Sequence, residues 1–381
     1  MKESVNLHIY PAPILNESRI FRQTRSVAEA RLFGRVVICG QNANGLADVQ
    51  SLDEHRSIER VGAPVDERPR SLVGRIREQF SWSLAVYRSW RTRTVRAVNA
   101  HSVAVLPVSH AIARRHRAAL IYDTHELETE TSTSGGLQGK VFRLIERYYI
   151  RRCDAILVVN ESIADWYRKA YPGVNVVSIL NAPSRISDPR PADLRTMFGI
   201  PDGSRIYVHV GNIVAHRHVA EILAAFAARQ SSGDHVVFIG GGALAGSVRR
   251  YAREHANIHH LEAVAADAVV DAVAGGDVGL CLIEATCLSY ALSLPNKALE
   301  YSMAGLPFFY TDLVEVDRLL GVNGSSWKVA ATVESLIDAM SALDADRLEA
   351  GRAAIAEVTL PDWQTESVRM INEYRRVLGV T

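Results

Sequence analysis

What the chain lacks narrows its class first. It holds only four cysteines in 381 residues, Cys39, Cys153, Cys281 and Cys287, with no Cys-x-x-Cys pair among them. That excludes a small disulfide scaffold and a thiolate zinc module, and the four read as reduced residues of a cytosolic protein. No stretch approaches the roughly 18–20 uninterrupted apolar residues of a spanning helix, and the opening MKESVNLHIY has no apolar signal core, so a soluble chain is expected. Several fingerprints are missing too. PAPILNESR, which follows the first strand pattern, contains no glycine, so the dinucleotide signature is absent. There is no P-loop and no Gly-x-Ser-x-Gly elbow, which excludes P-loop chemistry and disfavours an α/β-hydrolase. Metal-ligand spacing is equally poor. His216 and His218 are two apart, and His259 and His260 are adjacent. Asp344 and Asp346 in SALDADRLEA suit a helix cap and its first turn. No metal and no cofactor are expected.

What is present points to two domains. The length suits two units of roughly 150–200 residues, and 48% hydrophobic content is enough for sizeable cores. The net charge of +1 conceals an asymmetry: residues 1–185 carry 27 basic against 18 acidic side chains, and residues 186–381 carry 16 against 24. An anionic partner is therefore expected for the first half, and no nucleic acid for the second.

Short β-branched runs alternate with helical periodicity along the whole chain, the signature of an α/β protein. Strands are expected at Val5–Tyr10, Arg35–Gly40, Val95–Ala100, Ala119–Asp123, Asp154–Val159 and Asn175–Leu180, with helices at Ser18–Phe33, Gly136–Arg152 and Glu161–Ala170. Asn181-Ala182-Pro183 and the turn formers after it read as a linker. A second series then runs through strands at Arg205–Val210, His235–Ile239, Ile258–Leu261, Val278–Ile283 and Pro307–Thr311. The expected boundaries are residues 1–183, residues 184–361 and a terminal amphipathic helix within 362–381.

Three segments carry chemistry. RAALIYDTHELETE (117–130) ends a strand in Asp-Thr-His-Glu. IYVHVGNIVAHRHVAEILAAF (206–226) is a strand, a glycine turn and a helix behind Arg217. GLCLIEATCLSYALSLPNKALEYSMAGLPFF (279–309) carries Pro-Asn-Lys-x-x-Glu followed by Ala-Gly-Leu-Pro. On that helix Asn296, Lys297 and Glu300 share a face. Its N-terminus and Lys297 suit a diphosphate, and Glu300 can accept two bonds from vicinal hydroxyls. Gly240-Gly241-Gly242 follows a strand and precedes a helix; phosphate approach and a plain turn explain it equally well.

The third segment resembles the donor-site helix of family 4 glycosyltransferases, in the subgroup with Pro-Asn-Lys before that helix. The resemblance implies the GT-B fold: two Rossmann-like α/β/α domains facing each other across a cleft, the last helix crossing back to the first domain. It also implies that the first domain takes the acceptor and the second a UDP- or GDP-type nucleotide sugar. Under it His125, Arg217 and Lys297 are the candidate catalytic residues, and Gly211, Asn212, Gly241, Asn296 and Glu300 bind donor nucleotide or phosphate. The family's second basic residue after the glycine is Asn212 here, with His216 or His218 as replacements. Its earlier glutamate falls on Leu292, so backbone amides of Ser289–Leu294 are the alternative sugar contact.

The implied reaction is a retaining, metal-independent transfer to a glycan or lipid-linked glycan, in surface-polysaccharide or glycolipid assembly. The rivals are a nucleotide-sugar epimerase, with Glu126 and Glu284 as its acids, and an inactive nucleotide-sugar-binding protein. Ser71–Ala100 adds a surface. Its six arginines face a single acid, Glu78. Trp82, Trp90 and Arg91 are expected at an acceptor or an anionic membrane, placing the protein in the cytoplasm, peripheral on the inner face of the cell membrane. The alternative is a core stripe of Phe80, Leu84 and Tyr87.

Overall fold

The computed structural model describes residues 4–15, 17–65, 72–131, 135–184, 189–321 and 324–380. It divides the chain into two compact units, Met1–Asn181 with Thr365–Thr381, and Ala182–Gln364. Each is built around its own mainly parallel sheet.

In the first unit the strands are β1 (Val5–Ile9), β2 (Arg35–Ala43), β3 (Val49–Ser51), β4 (Arg56–Val65), β5 (Val95–Ala100), β6 (Ala119–Asp123), β7 (Ala155–Val158) and β8 (Val176–Ser178). They lie in the order β3-β4-β2-β1-β5-β6-β7-β8, and only the β3–β4 pair is antiparallel. The central strands are apolar runs such as Val36–Cys39 and Ala155–Val158, buried on both faces because helices cover both. Strand order reverses beside β1, which has β2 on one side and β5 on the other. Ligands of open α/β sheets bind beyond the carboxyl ends at such a reversal.

Its helices are α1 (Ser18–Glu29), α2 (Leu72–Trp90), α3 (Leu106–His116), α4 (Leu137–Tyr149) and α5 (Glu161–Ala170). Helix α5 starts where Asn160 caps it by accepting from the Ile163 amide. Helix α2 packs on β4, and α3 packs on β5 and β6 and against both α2 and α4. The buried carboxyl of Glu146 on α4 accepts from the hydroxyls of Tyr122, Tyr167 and Tyr171 and from Thr129. Those bonds tie the loop after β6 to the helix layer.

The second unit contains β9 (Arg205–Val210), β10 (Asp234–Ile239), β11 (Ile258–Leu261), β12 (Val278–Cys281), β13 (Phe308–Tyr310) and β14 (Trp327–Lys328), in the all-parallel order β11-β10-β9-β12-β13-β14. The reversal falls beside β9. Helices α6 (Leu194–Phe198), α7 (Val219–Ala227), α8 (Ala245–Glu254), α9 (Val269–Ala274), α10 (Leu288–Ala291) and α11 (Asn296–Met303) follow in chain order. Two apolar clusters, one around Val208 and Tyr301 and one around Phe226 and Phe238, fill the two faces of this sheet. Asp344 caps the helix Ala345–Ala356 by accepting from the Arg347 amide.

The terminal helix, Trp363–Leu378, belongs largely to the first unit. There Glu366 accepts from the Leu180 amide, Glu373 from Asn175, and the Tyr374 hydroxyl from Asn99. No helix among the described residues is long and apolar enough to cross a membrane.

Strand β4 departs from expectation. Its sequence, RSIERVGAPV, has charges, a glycine and a proline, which argue against a strand. Here the charged residues are buried in hydrogen bonds. Arg60, 4% exposed, donates to the carbonyls of Pro13, Ile14 and Ala47 and so fixes the loop after β1.

Candidate functional site

In the first unit β1 and β5 both read Asn-x-His: Asn6-Leu7-His8 and Asn99-Ala100-His101. The period of two puts each Asn and His on one face. The β1–β5 register sets His8 beside Asn99. A hydrogen-bonded chain results. Asn6 Nδ2 lies 2.8 Å from Asn99 Oδ1 and 3.4 Å from the Ala97 carbonyl, which can only accept. Asn6 Oδ1 is therefore the acceptor facing His8 Nε2 at 2.7 Å, so that nitrogen carries the hydrogen. Burial, reinforced by His101, lowers the His8 pKa well below its usual value. The neutral ring then accepts at Nδ1 from His101 Nε2, 2.7 Å away. His101 Nδ1 stands 3.0 Å from His125 Nε2 and 3.1 Å from Asp123 Oδ2.

Asp123, at the end of β6, is wholly buried. Burial alone would raise its pKa. Arg19 of α1, gripping the carboxylate from 2.7 Å, and then the His101 bond hold it well below the carboxylate range. His125 stacks on Tyr10 with ring centroids 5.6 Å apart, and a quarter of its side chain is exposed. Burial lowers its pKa to about 3 against the pull of Asp123, so it is neutral at pH 7. His101, Asp123 and His125 offer ligand atoms within 4.8 Å of one another, the one such metal-competent group found among the described residues. Arg19 already supplies the positive charge on this carboxylate. A second carboxyl lies in the same loop. Burial raises the Glu128 pKa to about 8, although the carboxylate accepts from Ser102 Oγ and the Val103 amide.

In the second unit the candidates gather at the carboxyl ends of β9 and β12. Gly211 follows β9 at φ +101°, and Gly240 and Gly242 follow β10 at φ +142° and +145°. A Cβ on Gly240 would sit 2.1 Å from the Gly211 carbonyl, and one on Gly242 2.5 Å from that of Ile213. The glycines thus let two loops meet backbone to backbone, with the Ile213 amide donating to Gly241. The turn has a structural reason of its own.

Arg217 ends a single 3-10 turn, Ala215–Arg217, with its guanidinium 5.5 Å from the Tyr290 ring centroid. His216 pairs with Glu284 at 3.1 Å. His218 adopts φ +52° and lies 3.7 Å from Glu221. On α11, Asn296 is exposed and Glu300 half-buried, while Lys297 is 8% exposed. Its Nζ has no hydrogen-bond partner among the described residues. Burial lowers the Lys297 pKa to about 8; Cys281 opposes this and Arg217 adds to it. Arg217, Lys297 and Glu300 therefore share one electrostatic neighbourhood, where burial and Lys297 also keep His209 of β9 neutral. Leu292 is half-buried just before this helix.

Trp82 and Trp90, expected at an acceptor or membrane contact, are instead turned into the core, 5% and 0% exposed; Arg91 is exposed. Trp82, Val86 and Trp90 recur every four residues and form the inward face of α2. The alternative core stripe fails as well, since Phe80 is 72% exposed. Sequence reasoning also missed Arg19, His8, His101 and Tyr290. The repeated Asn-x-His at two strand ends was the available signal for the histidines; Arg19 and Tyr290 left none.

Residues 22–182 match a glycosyl transferase 4-like domain. The first domain is a glycosyl transferase 4-like domain. No curated protein sequence matches the chain. Among solved structures, it is similar to sucrose-phosphate synthase from Thermosynechococcus elongatus at a TM-score of 0.77 and 14% identity, covering 99% of each chain. Anabaena HepE, solved with UDP-glucose, matches at a TM-score of 0.68 and 12% identity over 98% of this chain and 99% of its own. WaaG, a glycosyltransferase involved in lipopolysaccharide biosynthesis, matches at 0.63 and 13% identity over 95% and 98%. The whole chain has the GT-B fold.

Proposed function

We propose that the protein is a glycosyltransferase that moves a sugar from a nucleotide-diphosphate sugar to a glycan or lipid-linked glycan. One observation carries the reading: among the described residues the buried Nζ of Lys297 has no hydrogen-bond partner, and it lies in the electrostatic neighbourhood of Arg217 and Glu300. A buried ammonium without an anion is costly, and a diphosphate relieves that cost with strong charge-assisted bonds. The glycosyl transferase 4-like domain and the UDP-glucose bound by HepE support a nucleotide sugar as the anion.

In this reading Lys297 and Arg217 hold the diphosphate and stabilise it as it departs, where charge develops in the transition state. Glu300 takes the ribose hydroxyls, and Asn296 with the Gly211 and Gly241 loops completes the nucleotide site. Neutral His125, held through Nε2, offers Nδ1 to a sugar hydroxyl. The donor phosphate receives the acceptor proton, so the anomeric configuration is retained and no metal is required. We assign the reaction to the cytoplasm, in surface-polysaccharide or glycolipid assembly; the four free thiols are consistent with a reducing compartment.

Thermal-shift titration with UDP, GDP and ADP, with magnesium and with EDTA, tests the site. A nucleotide-specific rise in melting temperature that persists in EDTA is expected. No shift with any of the three contradicts the assignment. Once a donor is known, the anomeric configuration of the product, read by NMR, checks retention.

A further inference from the structure

The exposed apolar side chains of this protein are not scattered. Of thirteen large hydrophobic residues that stand open to solvent among the described residues, seven lie on α2 and α4. On α2 they are Ile76, Phe80 and Leu84, spaced by four, at 60%, 72% and 38% exposure. On α4 they are Leu137, Val141, Leu144 and Tyr148, spaced by four, three and four, at 45% to 67%. Each set is one continuous stripe along its helix. Both helices already bury another face, α2 through Trp82, Val86 and Trp90 and α4 through Gly139 and Glu146. The outward stripes are therefore surplus to the core, and concentrated exposed apolar surface marks an interaction site.

The charge around the stripes is mainly basic, although Arg143 on α4 pairs with Glu130 at 4.0 Å. Arg75, Arg77 and Arg88 flank the α2 stripe, and Lys140, Arg143 and Arg147 the α4 stripe. Helix α3, packed against both, adds exposed Arg114 and Arg115. The only acids on the three helices are Glu78, half-buried, and Glu146, fully buried. Apolar stripes inside a predominantly basic field match an anionic lipid surface, where Phe, Leu and Ile enter the acyl boundary and Arg and Lys meet the headgroups. A second copy of the chain is a poor occupant, because self-pairing sets these cations against one another.

From this we infer that the α2–α3–α4 face of the first domain docks on an anionic membrane, through Ile76, Phe80 and Leu84 on one helix and Leu137, Val141 and Leu144 on the other. The stripes face solvent and include none of the candidate site residues. The inference therefore stands or falls separately from the proposed reaction.

The test is co-sedimentation of the full chain with phosphatidylcholine vesicles, plain or containing about a third phosphatidylglycerol. Retention on the anionic vesicles only, released by high salt, is expected. Arg77→Gln, Lys140→Gln and Arg147→Gln should each lower partitioning about fivefold, and the triple variant about a hundredfold. Phe80→Ser with Leu144→Ser should lower it by more than tenfold at an unchanged melting temperature. Should that pair unfold, Phe80→Trp serves instead: its added emission should shift to the blue and be quenched by brominated anionic lipid. Equal retention on both vesicle types, retention on neither, or a dimer in sedimentation velocity that the serine pair dissolves each overturns the inference. Nucleotide-induced stabilisation should be the same in every variant.

Discussion

The two candidate sites handle buried charge in opposite ways. In the first, each charge or ring nitrogen near His125 is answered by the protein itself: Arg19 on Asp123, Asp123 and His8 on His101, Asn6 on His8. In the second, Lys297 is also buried, yet among the described residues its Nζ has no hydrogen-bond partner. A satisfied network rigidifies a side chain in advance, whereas an unanswered buried cation stores a preference for an anion. The first domain thus positions a neutral imidazole, and the second, in the proposed reading, changes its energetics when a diphosphate arrives.

Charge removal should separate the two. Asp123→Ala leaves Arg19 buried without its partner and should cost about 3–5 kcal/mol in the first domain's urea transition. A loss below 1 kcal/mol there would mean the network is not a unit. Lys297→Met should do the reverse in the unliganded protein, leaving unfolding unchanged or slightly later. It should also weaken nucleotide-diphosphate binding by about 2–3 kcal/mol, or roughly 30- to 150-fold in calorimetry. Equal affinities for the two proteins would remove Lys297 from the site.

A milder probe reaches the network from its far end. Tyr374→Phe deprives the Asn99 amide of its acceptor and should cost about 1–2 kcal/mol by denaturant unfolding. The nucleotide-binding constant should stay put, since the second domain does not share these bonds.

The smallest effect is one of pH. Lys297 has its pKa lowered to about 8 in the free protein, and in the proposed reading a bound diphosphate should raise it. Binding therefore takes up a proton only above pH 8. Affinity should be flat below that pH and fall by at most about tenfold per unit above it. Calorimetry across this range, with Lys297→Met giving a flat profile, provides the check; a wild-type profile as flat as the variant's would contradict the linkage.

Much of this was readable along the chain. Strands β5, β6, β9 and β11 and helix α5 have the bounds their hydrophobic patterns predict, because buried parallel strands are short apolar runs between polar turns. Pro-Asn-Lys-x-x-Glu likewise placed Asn296, Lys297 and Glu300 on one helix. Strand β4 was not legible, since its Arg56, Glu59 and Arg60 are burial-competent only where carbonyls and counter-charges from distant loops meet them. Helices α3 and α9 were missed for want of a distinct period.

Sequence alone determined the alternating α/β order, the basic first half and the composition of α2, apolar on more than one face. It could not determine which face turns inward. Trp82, Val86 and Trp90 form one stripe at helical spacing and Ile76, Phe80 and Leu84 another, and local pattern treats the two alike. Packing against β4 and α3 buried the tryptophans and left the other stripe outside. The same holds for the histidines, whose Asn-x-His pairs became one relay only when β1 and β5, about 90 residues apart in the chain, were set side by side. Such juxtapositions depend on long-range register, which no local window contains.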